Sequence, residues 1–333
     1  MSSSGDRKAA IKKLKKLMFT PKIEVKTFRE TMDTTFGNVF LPNDVDYSVV
    51  DYAGVSCDVL NPVVYSSGRV LLYIHGGCFI GGSKKAYRPF VASLAHTIFC
   101  RAVVPDFKLA PTFQFPASLD DIQAVFRALY TEEVVACSLD NYNRSQKKDP
   151  EIVIMADGSG ASLALALVLS LRGQYRNSVK KIILISPWLD ISQNAYCFSK
   201  KKASDELITS ECIKRAAELY THKDNRENPL VSPLKVKKEQ IENFPEVFIQ
   251  MGEKELLLKD AQDFKKILEE AGNKCELDIW KNMMSMFQMA DEYLAESHLA
   301  VEKIGKILVG RTVTEEDSVK GIQLELEKSS NSI

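Results

Sequence analysis

The chain has 333 residues, 45% of them hydrophobic and 26% charged, an ordinary globular composition that an α/β fold can accommodate as one unit. Lysine and arginine total 44 and aspartate and glutamate total 44, which excludes a global electrostatic pull toward nucleic acid or anionic lipid. No apolar run near the N-terminus is long enough for a signal peptide or a membrane span. The seven cysteines are scattered singly, which argues against a disulfide framework or a zinc site and suits a reducing compartment. The expectation is a cytoplasmic protein with no cofactor, no metal, no nucleic-acid partner and no membrane span.

Residues 1–40 form a segment of their own. Ile11, Leu14 and Met18 fall three and four apart, which predicts a helix over Ala9–Met18 with lysines on its outer face. From Tyr47 the pattern turns to strands. Tyr47–Val50 and Val55–Leu60 flank Asp51–Gly54, a predicted hairpin turn. Short runs rich in Val, Ile and Leu follow at Val70–Ile74, Ala102–Val104, Ile152–Met155, Ile182–Ile185, Val247–Met251 and Glu276–Trp280. Runs of this kind suit strands covered on both faces, as in a mainly parallel sheet. Helices are predicted between and after them at Leu119–Tyr130, Ser162–Arg172, Lys259–Ala271 and Asp291–Leu308, with Gly272 placed to end the third. The organisation read from this is an N-terminal helical segment over 1–40, a main domain over 41–310 with an insertion at about 195–225, and a polar tail over 311–333.

Three ordered motifs lie within the main domain. His75-Gly76-Gly77-Cys78 follows the strand Val70–Ile74 directly. Asp106-Phe107-Lys108-Leu109-Ala110-Pro111 precedes Phe115-Pro116-Ala117 and Asp120-Asp121. Ile185-Ser186-Pro187-Trp188-Leu189-Asp190 is followed by Ser232-Pro233-Leu234. Together they resemble the α/β-hydrolase family of hormone-sensitive-lipase-like esterases, which includes the arylacetamide deacetylases, over roughly residues 45–310. The resemblance implies an α/β-hydrolase fold, with a mainly parallel central sheet, helices on both faces and a helical cap made from residues 1–40 and Asp205–His222. It also implies that the amides of Gly76 and Gly77, with that of Ser159, form an oxyanion hole.

The family's catalytic triad does not align with the residues it requires. Gly158, in Ala156-Asp157-Gly158-Ser159-Gly160, falls where the nucleophilic serine belongs. Glu255 falls at the acid position, where a surface glutamate is an equally good reading. Ser285, in Met283-Met284-Ser285-Met286-Phe287, falls at the histidine position, and there is no histidine between His222 and His298. Losing a triad costs about 10⁶ in turnover. The leading expectation is therefore an inactive esterase homologue, a pseudoenzyme that binds a small apolar or carboxylate ligand, or a protein partner, in the old cleft. The alternative is an active carboxylesterase or deacetylase with displaced groups, Ser159 or Cys78 among them. A third reading is a structural or assembly protein whose cleft is filled, with Met283, Met284, Met286 and Met289 collapsed into it.

Overall fold

A computed structural model describes residues 3–65, 68–140, 149–199 and 205–309. The polar tail expected over 311–333 lies outside the described residues, as do positions 200–204 of the expected insertion.

The N-terminal segment folds as α1 (Ser4–Leu14), a 3₁₀ turn at Lys15–Leu17, and α2 (Val25–Phe36). The helix predicted over Ala9–Met18 thus begins earlier, because Ser3 caps it by accepting the Asp6 amide while Asp6 accepts the Ser3 amide. The second helix had no expectation. Its buried positions are Phe28, Met32 and Phe36, spaced by four.

β1 (Val45–Tyr52) and β2 (Val55–Pro62) are the predicted hairpin, turning at Ala53 and Gly54 with φ of 56° and 87°. Two consecutive positive φ values give the turn the twist that hairpins favour. The rest of the sheet is β3 (Arg69–Ile74), β4 (Arg101–Pro105), β5 (Glu151–Asp157), β6 (Val179–Ile185), β7 (Glu246–Gly252) and β8 (Cys275–Trp280). The eight strands lie in the order β1-β2-β4-β3-β5-β6-β7-β8. Among the described residues only the β1–β2 and β2–β4 pairings are antiparallel. In β3, β5 and β7 consecutive residues are buried, so both faces of the sheet are covered, as the unbroken apolar runs required.

The covering helices are α3 (Lys84–Ile98), α4 (Ala117–Asp140), α5 (Gly158–Ser170), α6 (Gly173–Ser178), α7 (Tyr196–Ser199), α8 (Ser210–Tyr220), α9 (Leu258–Glu270) and α10 (Ala295–Val309). α3 packs on α2 and α10, and α4 packs on α5. α9 matches its prediction closely. Phe264 and Leu268 face the core, the outer face carries Lys259–Asp263 and Lys265–Glu269 pairs, and Gly272 follows at φ 80°. α5 starts four residues before the predicted Ser162. All of Ser159–Leu169 is buried, so no polar face marks its first turn.

This is the α/β-hydrolase architecture. It brings the ends of β3, β5, β6, β7 and β8 to one rim, and that rim carries the loops described next.

Candidate active site

β5 runs straight into α5 through a sharp bend at Gly158, whose φ is +47°. A backbone in this region strains side-chain-bearing residues, so glycine holds the bend at no steric cost. A Cβ at Gly158 would meet nothing within 4 Å, so the space above the bend is open. The next residue, Ser159, is buried, and its Oγ accepts the Phe79 amide at 2.9 Å. That hydroxyl therefore pins the start of α5 to the glycine loop.

The glycine loop is held mainly by Asp157. Tyr73 donates its hydroxyl to Oδ1 at 2.8 Å, Tyr87 donates to Oδ2 at 2.9 Å, and the Gly76 amide donates to Oδ1 at 2.9 Å. Burial pushes the Asp157 carboxyl up to about 6, opposed by these donors. Gly77 turns with φ of 109°, and Cys78 and Phe79 follow with φ near 60°. A Cβ on Gly77 would lie 2.3 Å from the Gly81 carbonyl oxygen, so the loop has no room for a side chain there.

The acid and histidine positions of the sequence reading lie at the ends of β7 and β8. Glu255 is buried, which corrects the surface alternative. Its Oε1 accepts the Ser186 hydroxyl at 2.9 Å and the Gly252 amide at 2.5 Å, and its Oε2 has no partner. Burial is the largest cause of a pKa pushed up to about 8, and the nearby Asp205 charge adds to it. Ser285 is also buried, and its hydroxyl donates to Asp205 Oδ2 at 2.9 Å. Asp205 holds the loop before α8, with Oδ1 accepting the amides of Leu207 and Ile208.

These elements enclose a cavity of about 40 Å³. Gly77, Cys78, Gly158, Ser159, Ser186 and Trp188 form its floor on the strand-end rim. Leu17, Met18 and Phe19 of the N-terminal segment and Ile208, Cys212 and Ile213 near α8 close over it. Arg29 fastens the N-terminal segment by donating to the carbonyls of Ile80 and Ala110. Tyr220 of α8 stacks on Phe79 with centroids 3.9 Å apart. The methionine-rich loop does not fill the space. Met286 contributes one wall, while Met283, Met284 and Met289 lie elsewhere in the core.

None of the four histidines lines this cavity. His75 lies behind the glycine loop, sandwiched between Tyr87 and Phe107, with its pKa lowered by burial. Of the displaced nucleophiles expected, Cys78 is a poor one, since burial pushes its thiol up to about 11. Ser186 was not foreseen. It lies 69 residues from Glu255 in the chain and meets it because β6 and β7 are neighbours in the sheet. The only local sign was its place in Ser186-Pro187-Trp188, which gave no hint of a partner.

A family model described as alpha/beta hydrolase fold matches residues 71–289. The chain belongs to the α/β-hydrolase family. An esterase of Acinetobacter venetianus is 29% identical over 242 residues, which cover 72% of this chain and 75% of that one. An acetyl-hydrolase of Streptomyces hygroscopicus is 26% identical over 84% of this chain and 87% of its own. The crystal structure of an esterase from the bacterial hormone-sensitive lipase family superposes with a TM-score of 0.78 and 26% identity. That match covers 92% of this chain and 98% of the esterase.

These likenesses overturn the inert, pseudoenzyme reading of the sequence. The α/β hydrolases matched over most of the chain are an esterase and an acetyl-hydrolase, and they point to an active carboxylesterase. The physical weakness of the inert reading is that it counted three positions only. The fold also brings Ser186, which lines the cavity, into hydrogen-bond contact with a buried carboxylate, and linear spacing could not reveal that.

Proposed function

We infer that this chain is a carboxylic-ester hydrolase acting on small apolar esters, with catalytic groups displaced from the family's usual positions. In this reading Gly158, Glu255 and Ser285 stand at the family's nucleophile, acid and histidine positions. The amides of Gly76, Gly77 and Ser159 border the place where a carbonyl oxygen develops charge. Gly76 is already bound to Asp157, so Gly77 and Ser159 carry most of that role. Ser159 is the second residue of α5, where helical amides have no partner within the helix and the helix dipole favours negative charge.

The observation that carries the reading is the cavity at the strand-end rim, lined by Gly77 and Cys78 of the glycine loop, the bend at Gly158, and Ser186, whose hydroxyl meets Glu255. Its volume of about 40 Å³ exceeds the roughly 10–15 Å³ that one water needs and falls well short of the ~150 Å³ that holds benzene. An acetyl-sized acyl group suits that space. The apolar cover of Leu17, Phe19, Ile208 and Ile213 favours an apolar alcohol or acyl part over a charged one.

The test is initial-rate hydrolysis of p-nitrophenyl acetate, butyrate and octanoate by the purified chain. The reading expects saturable release above the heat-denatured control, with acetate preferred. A native rate equal to the denatured one for all three esters rejects it.

A further inference from the structure

We propose that Ser186 and Glu255 are the displaced catalytic pair of this site, Ser186 the nucleophile and Glu255 its general base. The proposal rests on the ester-hydrolase reading above and deepens it.

The two groups are already in hydrogen-bond contact. The Ser186 hydroxyl donates to Glu255 Oε1 at 2.9 Å, within the reach a nucleophile and its base require. The hydroxyl oxygen in turn accepts the Met286 amide at 2.9 Å, which fixes its orientation. Ser186 lines the cavity together with Gly77, Gly158 and Ser159. Its backbone sits at φ 45°, a strained value for serine that costs about 1–3 kcal/mol and collects at functional sites. The Ser186 amide donates to the Gln250 carbonyl at 3.0 Å, which ties this strained turn to β7.

Glu255 has the surroundings of a base. It is buried, the Gly252 amide fixes Oε1, and Oε2 has no partner. A carboxylate in such a site is more basic than in water, as its raised pKa reflects. The other serine and cysteine side chains at the cavity are Ser159, Cys78 and Cys212, and none of them is shown on a carboxylate as Ser186 is. The Ser159 and Ser186 hydroxyl oxygens each accept one backbone amide, but only Ser186 donates to a carboxylate, and the Cys78 thiol is held protonated by burial.

The reaction balances without any added group. Ser186 Oγ attacks the ester carbonyl carbon as its proton passes to Glu255 Oε1. The carbonyl electron pair moves onto oxygen, facing the Gly77 and Ser159 amides. Collapse breaks the carbon–alkoxide bond, and Glu255 returns the proton to the leaving alcohol. Water, deprotonated by Glu255, then attacks the acyl-Ser186 ester and releases the acid, and the proton goes back to Ser186 Oγ.

The experiment labels the native chain with a fluorophosphonate and maps the adduct by peptide mass spectrometry, alongside ester turnover for wild type, Ser186→Ala and Glu255→Gln. Attack on this probe forms the Oγ–P bond, breaks P–F and expels fluoride. The expected adduct is on Ser186. Ser186→Ala removes labelling and turnover, and Glu255→Gln slows both by about 10²–10⁴, the worth of a general base. Glu255→Gln keeps the size and the Oε1 acceptor of the side chain, so it still reads the pair if Ser186→Ala does not fold. An adduct on Ser159, Cys78 or Cys212, or wild-type turnover in a folded Ser186→Ala or Glu255→Gln variant, overturns the pair and leaves the ester-hydrolase reading standing. A wild type that neither labels nor turns over ends both.

Discussion

Ser285 donates its hydroxyl to Asp205 Oδ2 at 2.9 Å, and the same oxygen accepts the Leu256 amide at 2.9 Å. One carboxylate therefore links the loop after β8, the loop after β7 and the approach to α8. Asp205→Asn places an amide N–H against these donors or turns it away and loses the loop amides, and either leaves buried groups unpaired at about 1–3 kcal/mol. Ser285→Ala removes one neutral donor and costs about 1 kcal/mol. Urea unfolding of the two variants is expected to give this order.

The glycines around the bend separate strain from collision. Gly158→Ala is expected to fold and to lose about 1–2 kcal/mol, because φ of +47° is unfavourable although the new Cβ meets nothing within 4 Å. Gly160→Ala is expected to be far more damaging, since its Cβ would lie 2.2 Å from the Ile74 carbonyl oxygen, a backbone atom between two strands' ends. Thermal melting of both variants checks the contrast.

Tyr87→Phe removes the donor to Asp157 Oδ2 and leaves that buried oxygen unsatisfied. The expected loss is about 1–3 kcal/mol of stability. The glycine loop is held by the same carboxylate, so ester turnover should fall by more than KM rises. Kinetics of this variant at saturating ester, with melting as a folding control, measure both effects.

Stability and activity should respond to pH with opposite signs. Glu255 and Asp260 are pushed up to about 8 and Asp157 to about 6 in the folded chain, each chiefly by burial. Between pH 5 and 8 the native state therefore binds more protons at these groups than the unfolded chain, and stability falls as pH rises. His75, lowered by burial, opposes this near its ordinary value of about 6.5, but it is one group against four, since burial raises Glu133 as well. Glu132 and Glu246 are lowered, so they are ionised in both states across this window and drop out. Turnover needs an ionised Glu255 and should climb through pH 8 while the melting temperature declines. Parallel pH series of kcat/KM and melting temperature test the pairing of signs.

Much of the fold was legible in the chain because the strands are covered on both faces and so appear as unbroken apolar runs. α2 and α3 were not. α3 is buried at eight positions around its surface, including Pro89, so its sequence lacks a single apolar stripe. The rim segments His75-Gly76-Gly77 and Asp157-Gly158-Ser159 could be located in the chain too, since each is contiguous, the first after β3 and the second across the β5–α5 junction. The Ser186–Glu255 contact was hidden. Its members belong to separate loops, and only the parallel pairing of β6 with β7 brings them together. Asp205 and Ser285, 80 residues apart, were hidden for the same reason.

The most direct test of ester hydrolysis at this cavity is pH-stat titration of the acid released from phenyl acetate by the wild type and by Ile208→Trp. Ile208 lies at the cover, where an indole fills the space without touching Ser186 or Glu255 by substitution. The expected result is saturable acid release by the wild type and its loss in a variant that still melts cooperatively. Acid release at the spontaneous rate by the wild type, or undiminished release by the filled variant, would contradict hydrolysis at this site.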